Sequence, residues 1–243
     1  MQPESPSHCT FTGKKVNFEV NPLPGSCLAA WEEELHDDFD RQFILKGIRH
    51  GFDIIDDNAD IAPVSCKNHP SAQPNSPLYD KATSQVIKEI ESGHYVICDT
   101  PPKIVSPMAV IPKPDMDVRL IHDCSRPVGE AVNDYCSADW QQTFSRVDDA
   151  ASLMTEGCFF AKVDLKSAYR SVSLSKASQE VTGLSWNIGG STVYLRDTRL
   201  PFGARRSVGI FHRLTQAVRR MMARKGYDLT IVYLDDFLII SKY

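Results

Sequence analysis

The cysteine pattern excludes two classes of small cross-linked domain. The seven cysteines stand singly at positions 9, 27, 66, 98, 124, 136 and 158, and none forms a CxxC pair, which argues against a zinc ribbon. Their odd number and the lack of a signal peptide also argue against a disulfide framework. We therefore predict a reduced, intracellular protein.

Long apolar runs are also absent. No run approaches the roughly 18 residues that span a bilayer, so we predict a soluble protein without a membrane partner. With 243 residues, of which 42% are hydrophobic, the chain can bury a sizeable core as one large domain or as two lobes.

A strong net charge is absent too, but the total of −4 averages two unequal segments. Residues 32–60 hold ten Asp and Glu against three Lys and Arg, a local net charge of −7. Residues 196–225 hold nine Lys and Arg against Asp197 alone, a local net charge of +8. The asymmetry favours an anionic partner for the basic segment, although a merely solvated face gives the same composition.

The pattern changes to short β-rich runs from about residue 95, after an N-terminal part of loops and helices. Residues 1–27 are rich in Pro, Ser, Thr, Asn and Gly and predict a loosely ordered leader, and a short helix is expected over about 31–44. Further helices are predicted from Ser76 to Gly93, over 143–157, and over 206–225 with Gly226 as the stop.

Short β-rich runs lie between these helices. They predict strands in YVICD, MAVIPK and DVRLIHDCS, a buried strand in CFFAKVDL, and a hairpin that turns at Gly189-Gly190. The expected class is therefore α/β (α+β), with antiparallel strands backed by helices.

Two adjacent carboxylates stand between two β-rich runs in TIVYLDDFLIISKY. The pattern predicts a hairpin with Asp235 and Asp236 in its tight turn, although a turn needs only one Asp. A bound cation would offset the repulsion between them. Asp164 ends the apolar run of CFFAKVDL, where a lone Asp is otherwise most often a cap or a turn residue.

The long helix between these aspartates has a basic face. At 100° per residue, Arg206, Arg213, Arg220 and Arg224 fall within about 40° of one another, and the apolar side chains fall opposite them. Rows of guanidinium groups suit phosphate backbones. A strand with Asp, a basic helix and an Asp-Asp hairpin together suit two-metal phosphoryl transfer to a polynucleotide.

Four motifs, in the correct order, resemble those of reverse transcriptases. KVDLKSAY, LPFGARRSVGIF and YLDD are similar to the first three palm motifs, and VIPKP with VRLIHDCSRPVGEAVND is similar to the fingers motif. NHPSA, GFDI and RLIHDCSRPVGEAVND most resemble the tyrosine-recombinase (DIRS-like) retroelements of eukaryotes. The resemblance covers roughly residues 65–243.

The resemblance implies a right-hand polymerase fold, with a leader over 1–64 and fingers and a partial palm over 65–243. It implies RNA-directed DNA polymerase activity on an RNA or DNA template-primer with dNTPs, in the cytoplasm or the nucleus. Because the chain stops at Tyr243, the fourth palm motif, primer grip, thumb and RNase H are expected to be absent. A truncated, inactive remnant that keeps the fold and nucleic-acid binding is one alternative, and an unrelated metal-dependent phosphotransferase is another.

Carried over residue by residue, the resemblance implies a site for two Mg²⁺ ions, or Mn²⁺. Asp164 and Asp235 would be the main ligands, Asp236 would have a supporting role, and the backbone carbonyl of Leu165 would be a further ligand. Mg²⁺ prefers hard oxygen donors and leaves positions for substrate phosphates, so few carboxylates suffice.

The resemblance also implies a nucleotide site and a template-primer surface. Lys113 and Arg119 would grip the triphosphate, and Tyr169 would lie under the sugar and exclude a ribose 2′-OH, with Phe202 beside it. The template or primer contacts are expected at Gly203, Arg206, Arg213 and Tyr233. The chain departs from the family at Phe202, where retroviral enzymes carry Gln, and at Val208, where Pro is typical. Asp123 and the histidines His50, His94, His122 and His212 are expected to be structural.

Overall fold

The structure, a computed structural model, describes residues 28–57, 59–114, 117–137 and 142–241. The predicted leader over 1–27 lies outside these residues. The helices of the described ranges are α1 Leu28–Glu34, α2 Arg41–His50, α3 Tyr79–Glu91, α4 Val147–Leu153, α5 Lys176–Gln179 and α6 Arg205–Arg224. The 3-10 turns are Pro70–Ala72, Val132–Tyr135 and Ala168–Ser171.

The strands form three sheets, which confirms the mixed α/β class. They are β1 Val64–Ser65, β2 Tyr95–Cys98, β3 Ile104–Val105, β4 Met108–Pro112, β5 Val118–His122, β6 Phe159–Asp164, β7 Gly183–Ile188, β8 Ser191–Asp197, β9 Thr230–Tyr233 and β10 Asp236–Ser241. The sheet orders are β1-β3-β7-β8-β2, β6-β10-β9 and β4-β5. Most pairs are antiparallel, and the β1–β3 and β3–β7 pairs are parallel.

Two clusters of buried hydrophobic side chains connect the helices and sheets. The first joins α1, α2 and α6 to the segment around Tyr169 and contains Ile44, Phe52, Ile210 and Phe211. The second packs α3 between the β4-β5 hairpin and the five-stranded sheet around Trp186. The site described below lies on the β6-β10-β9 sheet, and the cavity described with it is lined in part by the β4-β5 hairpin.

Turn chemistry that the sequence predicts is confirmed in two places. Gly189 and Gly190 join β7 to β8 with φ of 61° and 83°, the left-handed values that a two-residue hairpin turn requires. Gly226 follows α6 with φ of 92°, and the Tyr227 amide donates to the Met222 carbonyl (3.0 Å), as in a glycine-terminated helix end. Helices α3 and α4 are shorter than the predicted spans.

The single helix predicted over 31–44 is wrong, because two helices, α1 and α2, cover this segment. The break lies at Asp38, whose side chain accepts a hydrogen bond from the Asp40 amide (2.8 Å). Such a local bond offers the backbone an alternative to helical pairing. The break also aims both carboxylates at α6.

In CFFAKVDL the predicted strand is confirmed, but its predicted burial is wrong. Strand β6 forms, but all six residues are exposed, including Phe159 and Phe160 at 62% and 66%. The strand is at the edge of its sheet, and the described residues leave its faces largely open. A short apolar run identifies a strand but cannot show what will cover it.

None of the helices in the described ranges is long and apolar enough to cross a bilayer.

Two buried histidines give the fold a predictable response to acid. Burial lowers the pKa of His122, in β5, and of His212, in α6. Both folded-state pKa values therefore lie below the unfolded value of about 6.5, so their contribution to stability is present above that pH and is lost as the pH falls below it.

We expect the free energy of unfolding to fall between pH 6.5 and 5.5, by at most about 1.4 kcal/mol per histidine. Denaturant unfolding at the two pH values measures this, and His212→Gln should flatten the dependence relative to wild type. An exposed histidine, His36→Gln, is the control. An unchanged pH dependence in the His212 variant would contradict the assignment.

Candidate active site

Three aspartates meet where β6 and β10 pair, although Asp164 and Asp235 are 71 positions apart in the sequence. Asp164 lies directly opposite Asp236 in the antiparallel register, which places their Cβ atoms about 5 Å apart. The Leu165 amide donates to the Asp235 carbonyl (3.1 Å). We call Asp164, Asp235 and Asp236 the aspartate trio.

The hairpin turn differs slightly from the predicted one. Asp236 is the first residue of β10 and pairs with Tyr233, so Leu234 and Asp235 form the turn. Leu234 has φ of 52°, a left-handed conformation that costs a non-glycine residue about 1–2 kcal/mol. Strain of this kind is concentrated at functional sites.

Lys162 is a neighbour of the trio that sequence reasoning missed. Its Nζ lies 2.9 Å from Asp236 Oδ1. The hydrogen bond to Asp236, together with the charges of the trio, raises the pKa of Lys162. The signal was available, because Lys162 precedes Asp164 by two positions and side chains two apart share a strand face.

The donor chemistry of the trio is of the kind that a hard divalent cation prefers. Its donors are carboxylate oxygens, its potential already attracts one cationic side chain, and its members are half-buried or exposed and so accessible to a substrate. Within the described ranges, however, no group of three or more His, Cys, Asp or Glu side chains, the trio included, is placed as it stands to hold a metal ion. Mg²⁺ can bind through one or two carboxylates, because it completes its shell with water and substrate phosphates.

The predicted triphosphate residues are brought together. Lys113 follows β4 and Arg119 lies on β5, and both line a cavity of about 300 Å³ together with Phe202. Lys113 Nζ is 3.3 Å from Asp117 Oδ2 in an exposed ion pair. Such a pair is weak, so a phosphate could take the place of the Asp117 carboxylate beside Lys113. Two cationic side chains and one exposed aromatic ring therefore line the same cavity.

Tyr169 lies behind that ring. It is in the 3-10 turn Ala168–Ser171 and is 6% exposed, whereas Phe202 is 65% exposed. The Tyr169 ring centroid is 4.8 Å from that of Phe202 and 5.0 Å from that of Phe211. Burial and the nearby charge of Asp235 raise the pKa of Tyr169 to about 12, so its hydroxyl is neutral. We call Tyr169 and Phe202 the ring pair.

Gly203 has a structural explanation that sequence reasoning did not identify. A Cβ built on it would lie 2.0 Å from the carbonyl oxygen of His122. Because that oxygen belongs to the backbone, a larger residue would fit only if the backbone of β5 shifted. The Gly203 carbonyl also accepts a hydrogen bond from Asn133 Nδ2 (3.0 Å). The motif LPFGARRSVGIF, which contains Gly203, therefore packs directly against the end of β5.

The predicted template-primer arginines have partners within the chain. Arg206 Nη1 donates to the Ile55 carbonyl (2.7 Å), and its guanidinium also pairs with Asp56. Arg213 Nε donates to Asp40 Oδ1 (2.7 Å). Tyr233, by contrast, is 52% exposed beside the trio. The structure thus places Tyr233 at the site and pairs the two arginines with the N-terminal segment that contains Asp40, Ile55 and Asp56.

A buried ionic network, also missed from the sequence, adjoins the cavity. Arg170 donates from Nη1 to both carboxylate oxygens of Asp197 (2.9 and 2.7 Å) and from Nη2 to Glu89 Oε2 (2.8 Å). Asp197 is 1% exposed. Although burial opposes it, the charge of Asp197 raises the pKa of Arg170. Asp197 is the single acid in the basic segment 196–225, and that isolation was a usable signal.

Comparison with known families gives one match over more than half of the chain. A family model described as "Reverse transcriptase (RNA-dependent DNA polymerase)" matches residues 111–243. The matched range contains the trio, the ring pair and both cations of the cavity.

Two similar curated proteins are Pol polyproteins of Drosophila melanogaster transposons. The chain is 38% identical over 84 residues to the retrovirus-related Pol polyprotein from transposon gypsy, covering 35% of the chain and 7% of that protein. It is 27% identical over 190 residues to that from transposon 412, covering 75% of the chain and 14% of that protein. The chain thus spans a small part of the length of these relatives.

Two solved structures share the fold. One is the prototype foamy virus protease-reverse transcriptase, with a TM-score of 0.57, 21% identity, and coverage of 75% of this chain and 22% of that one. The other is a foamy viral protease-reverse transcriptase in complex with double-stranded DNA, with a TM-score of 0.61, 18% identity, and coverage of 89% and 38%. At these identities the likeness concerns the fold.

Proposed function

The chain belongs to the reverse transcriptase (RNA-dependent DNA polymerase) family, and on that premise we propose that the aspartate trio is the catalytic centre of a template-directed nucleotidyl transfer. The observation that carries the proposal is the register that sets Asp164 opposite Asp236 beside the Asp235 turn. Family membership alone does not show that these three residues lie next to one another in this chain.

In this proposal Asp164 and Asp235 would hold two Mg²⁺ ions, with Mn²⁺ as a substitute, and the Leu165 carbonyl would be a further ligand. When bound, the ions acidify the primer 3′-OH and offset the charge of the leaving pyrophosphate. The chain itself positions Asp164 at the end of β6 and Asp235 in the adjacent turn between β9 and β10. Asp236 supports them and holds Lys162 beside the site (2.9 Å).

The cavity beside the trio is the proposed dNTP site. Lys113 supplies a point charge and Arg119 a planar fork, which together can cover different phosphate oxygens. The ring pair then meets the sugar: Phe202 presents the exposed ring and Tyr169 supports it from behind. A bulky aromatic wall at this place would exclude a ribose 2′-OH and favour deoxynucleotides.

We assign the parts of a right-hand polymerase as follows. The five-stranded sheet with the β4-β5 hairpin forms the fingers, and the β6-β10-β9 sheet with α6 forms the palm. An RNA or DNA template-primer would lie across the exposed side of the palm, where Tyr233 and the Gly203 loop face the trio. A related foamy viral protein is described in complex with double-stranded DNA, which supports this type of partner.

Primer extension tests the proposal. Full-length protein is mixed with a DNA primer annealed to an RNA template, dNTPs and Mg²⁺, and extended products are separated by length. We expect template-dependent extension that a chelator stops. Binding of the template-primer without any extension would instead support the inactive remnant that keeps only the fold and nucleic-acid binding.

We further propose that the parent element is of the tyrosine-recombinase (DIRS-like) type. The support is sequence likeness in GFDI, NHPSA and RLIHDCSRPVGEAVND, whereas gypsy and 412 are the curated relatives described above. The genes beside this one distinguish the two: a tyrosine-recombinase gene in the same element supports the assignment, and an integrase gene contradicts it.

A further inference from the structure

The Arg170–Asp197 pair connects the two segments that carry the ring pair. Arg170 follows Tyr169 directly in the chain, and its guanidinium makes a two-point contact with Asp197 (2.9 and 2.7 Å). Asp197 Oδ1 also accepts the Arg199 amide (2.9 Å), at the start of the loop that carries Phe202. One carboxylate thus fixes both segments.

Three neighbouring residues also contact the Arg170–Asp197 pair. Glu89 of α3 accepts from Arg170 Nε and Nη2 (3.2 and 2.8 Å), and the Tyr95 ring lies 5.3 Å from the Arg170 guanidinium carbon. The Asp197 carbonyl accepts from Thr182 Oγ1 (2.7 Å). The Asp197 side chain is 2% exposed and that of Arg170 13%, so little water competes for these bonds.

The pair also lies in the wall of the proposed nucleotide cavity. Arg170, Asp197 and Glu89 line it together with Arg119 and Phe202. With Asp197 and Glu89 bound to it, Arg170 has few donors left for a phosphate, which distinguishes it from Lys113. Its geometry fits a positioning role better than substrate binding.

We propose that Arg170 and Asp197 are positioning residues that set the distance between Tyr169 and Phe202, and thereby the discrimination between deoxynucleotides and ribonucleotides. The proposal rests on the proposed function. Because the ring centroids are only 4.8 Å apart, a small shift of either segment changes the aromatic wall that the sugar would meet. Displacements of about 1 Å at a reacting site can cost about 100-fold in rate.

The test is the double variant Arg170→Met/Asp197→Leu in the full-length protein. Replacing both members of a buried ion pair by apolar groups usually preserves stability, whereas removing one member leaves a buried charge unpaired. Single-nucleotide incorporation is measured with a dNTP and with the matching rNTP, to give kcat/KM for each. Arg196 precedes Asp197 on β8 and forms an exposed ion pair with Glu180, so Arg196→Gln is the control.

We expect the ratio of kcat/KM for dNTP over rNTP to fall about tenfold in the double variant, with KM for dNTP raised more than kcat is lowered. The control should stay within twofold of wild type. If the double variant does not fold, Arg170→Lys, which keeps the charge but loses the planar fork, should lower the same ratio.

An unchanged ratio in a folded double variant, or in Arg170→Lys, would overturn the positioning role while leaving the proposed function intact. A wild-type protein that incorporates neither nucleotide would instead overturn the proposed function and the positioning role with it.

Discussion

Asp235→Asn is expected to reduce the rate of nucleotide incorporation by about 10³-fold or more, and Asp164→Asn to do the same. Each change keeps the size of the side chain but removes a charged oxygen donor from the trio. Loss of several kcal/mol of charge stabilisation in the transition state corresponds to a rate effect of this size. Pre-steady-state incorporation of one dNTP into a bound template-primer measures it.

Neither substitution should destabilise the fold. Asp164 and Asp236 face each other across paired strands, and like charges at directly opposed positions are unfavourable. We therefore expect a Tm at or above that of wild type. Asp228→Asn, the same chemical change at an exposed position just before β9, is the control for both measurements. Activity within tenfold of wild type in Asp235→Asn would contradict the site.

The second large effect is expected at the contact between α6 and the acidic N-terminal helices. Arg220 donates from Nε to Asp38 Oδ2 (2.7 Å) and from Nη2 to Asp40 Oδ2 (3.0 Å). The Asp38 side chain is fully buried. Although burial alone would raise it, the hydrogen bonds from Arg220 and the Asp40 amide hold the pKa of Asp38 below its ordinary value.

Arg220→Met should lower the free energy of unfolding by about 3 kcal/mol, because it leaves the buried Asp38 carboxylate without its cation, whereas Asp40 keeps Arg213. Denaturant unfolding measures the change. Lys225→Gln is the matched control on the same helix, since Lys225 pairs with Glu34 in an exposed ion pair that should contribute less than about 1 kcal/mol.

The same variant separates two roles for the basic face of α6. If its arginines bound nucleic acid, Arg220→Met would leave stability unchanged, weaken template-primer binding and reduce the salt dependence of that binding. The ion pairs predict the reverse, with lost stability and an unchanged salt dependence.

For the basic face of α6, the sequence predicted the positions of the arginines but not their partners. Helical spacing correctly placed Arg206, Arg213 and Arg220 on one side of a long helix, and composition correctly marked residues 32–60 as acidic. The structure joins the two segments through Asp38, Asp40 and Asp56. Local patterns show the charge of each face but not which distant segment will cover it.

The candidate site was more predictable, because its residues belong to short motifs with local geometry. The strand that ends at Asp164 and the hairpin at Asp235 could be inferred from β-rich runs, and their order suggested that they meet. Lys162 was missed because it precedes the motif, and Arg170 with Asp197 because burial determines their role. The exposure of β6 could not be inferred, since an apolar run is the same whether or not another element covers it.

The measurement that tests the central claim most directly is the number of divalent ions bound by the trio. Mn²⁺ can be titrated by electron paramagnetic resonance into the full-length protein with a template, a dideoxy-terminated primer and the matching dNTP, so that no reaction occurs. We predict two bound ions per chain in wild type and in Asp228→Asn, and fewer in Asp235→Asn. Two ions in Asp235→Asn, with the same affinity as in wild type, would contradict the assignment of the aspartate trio as the catalytic centre.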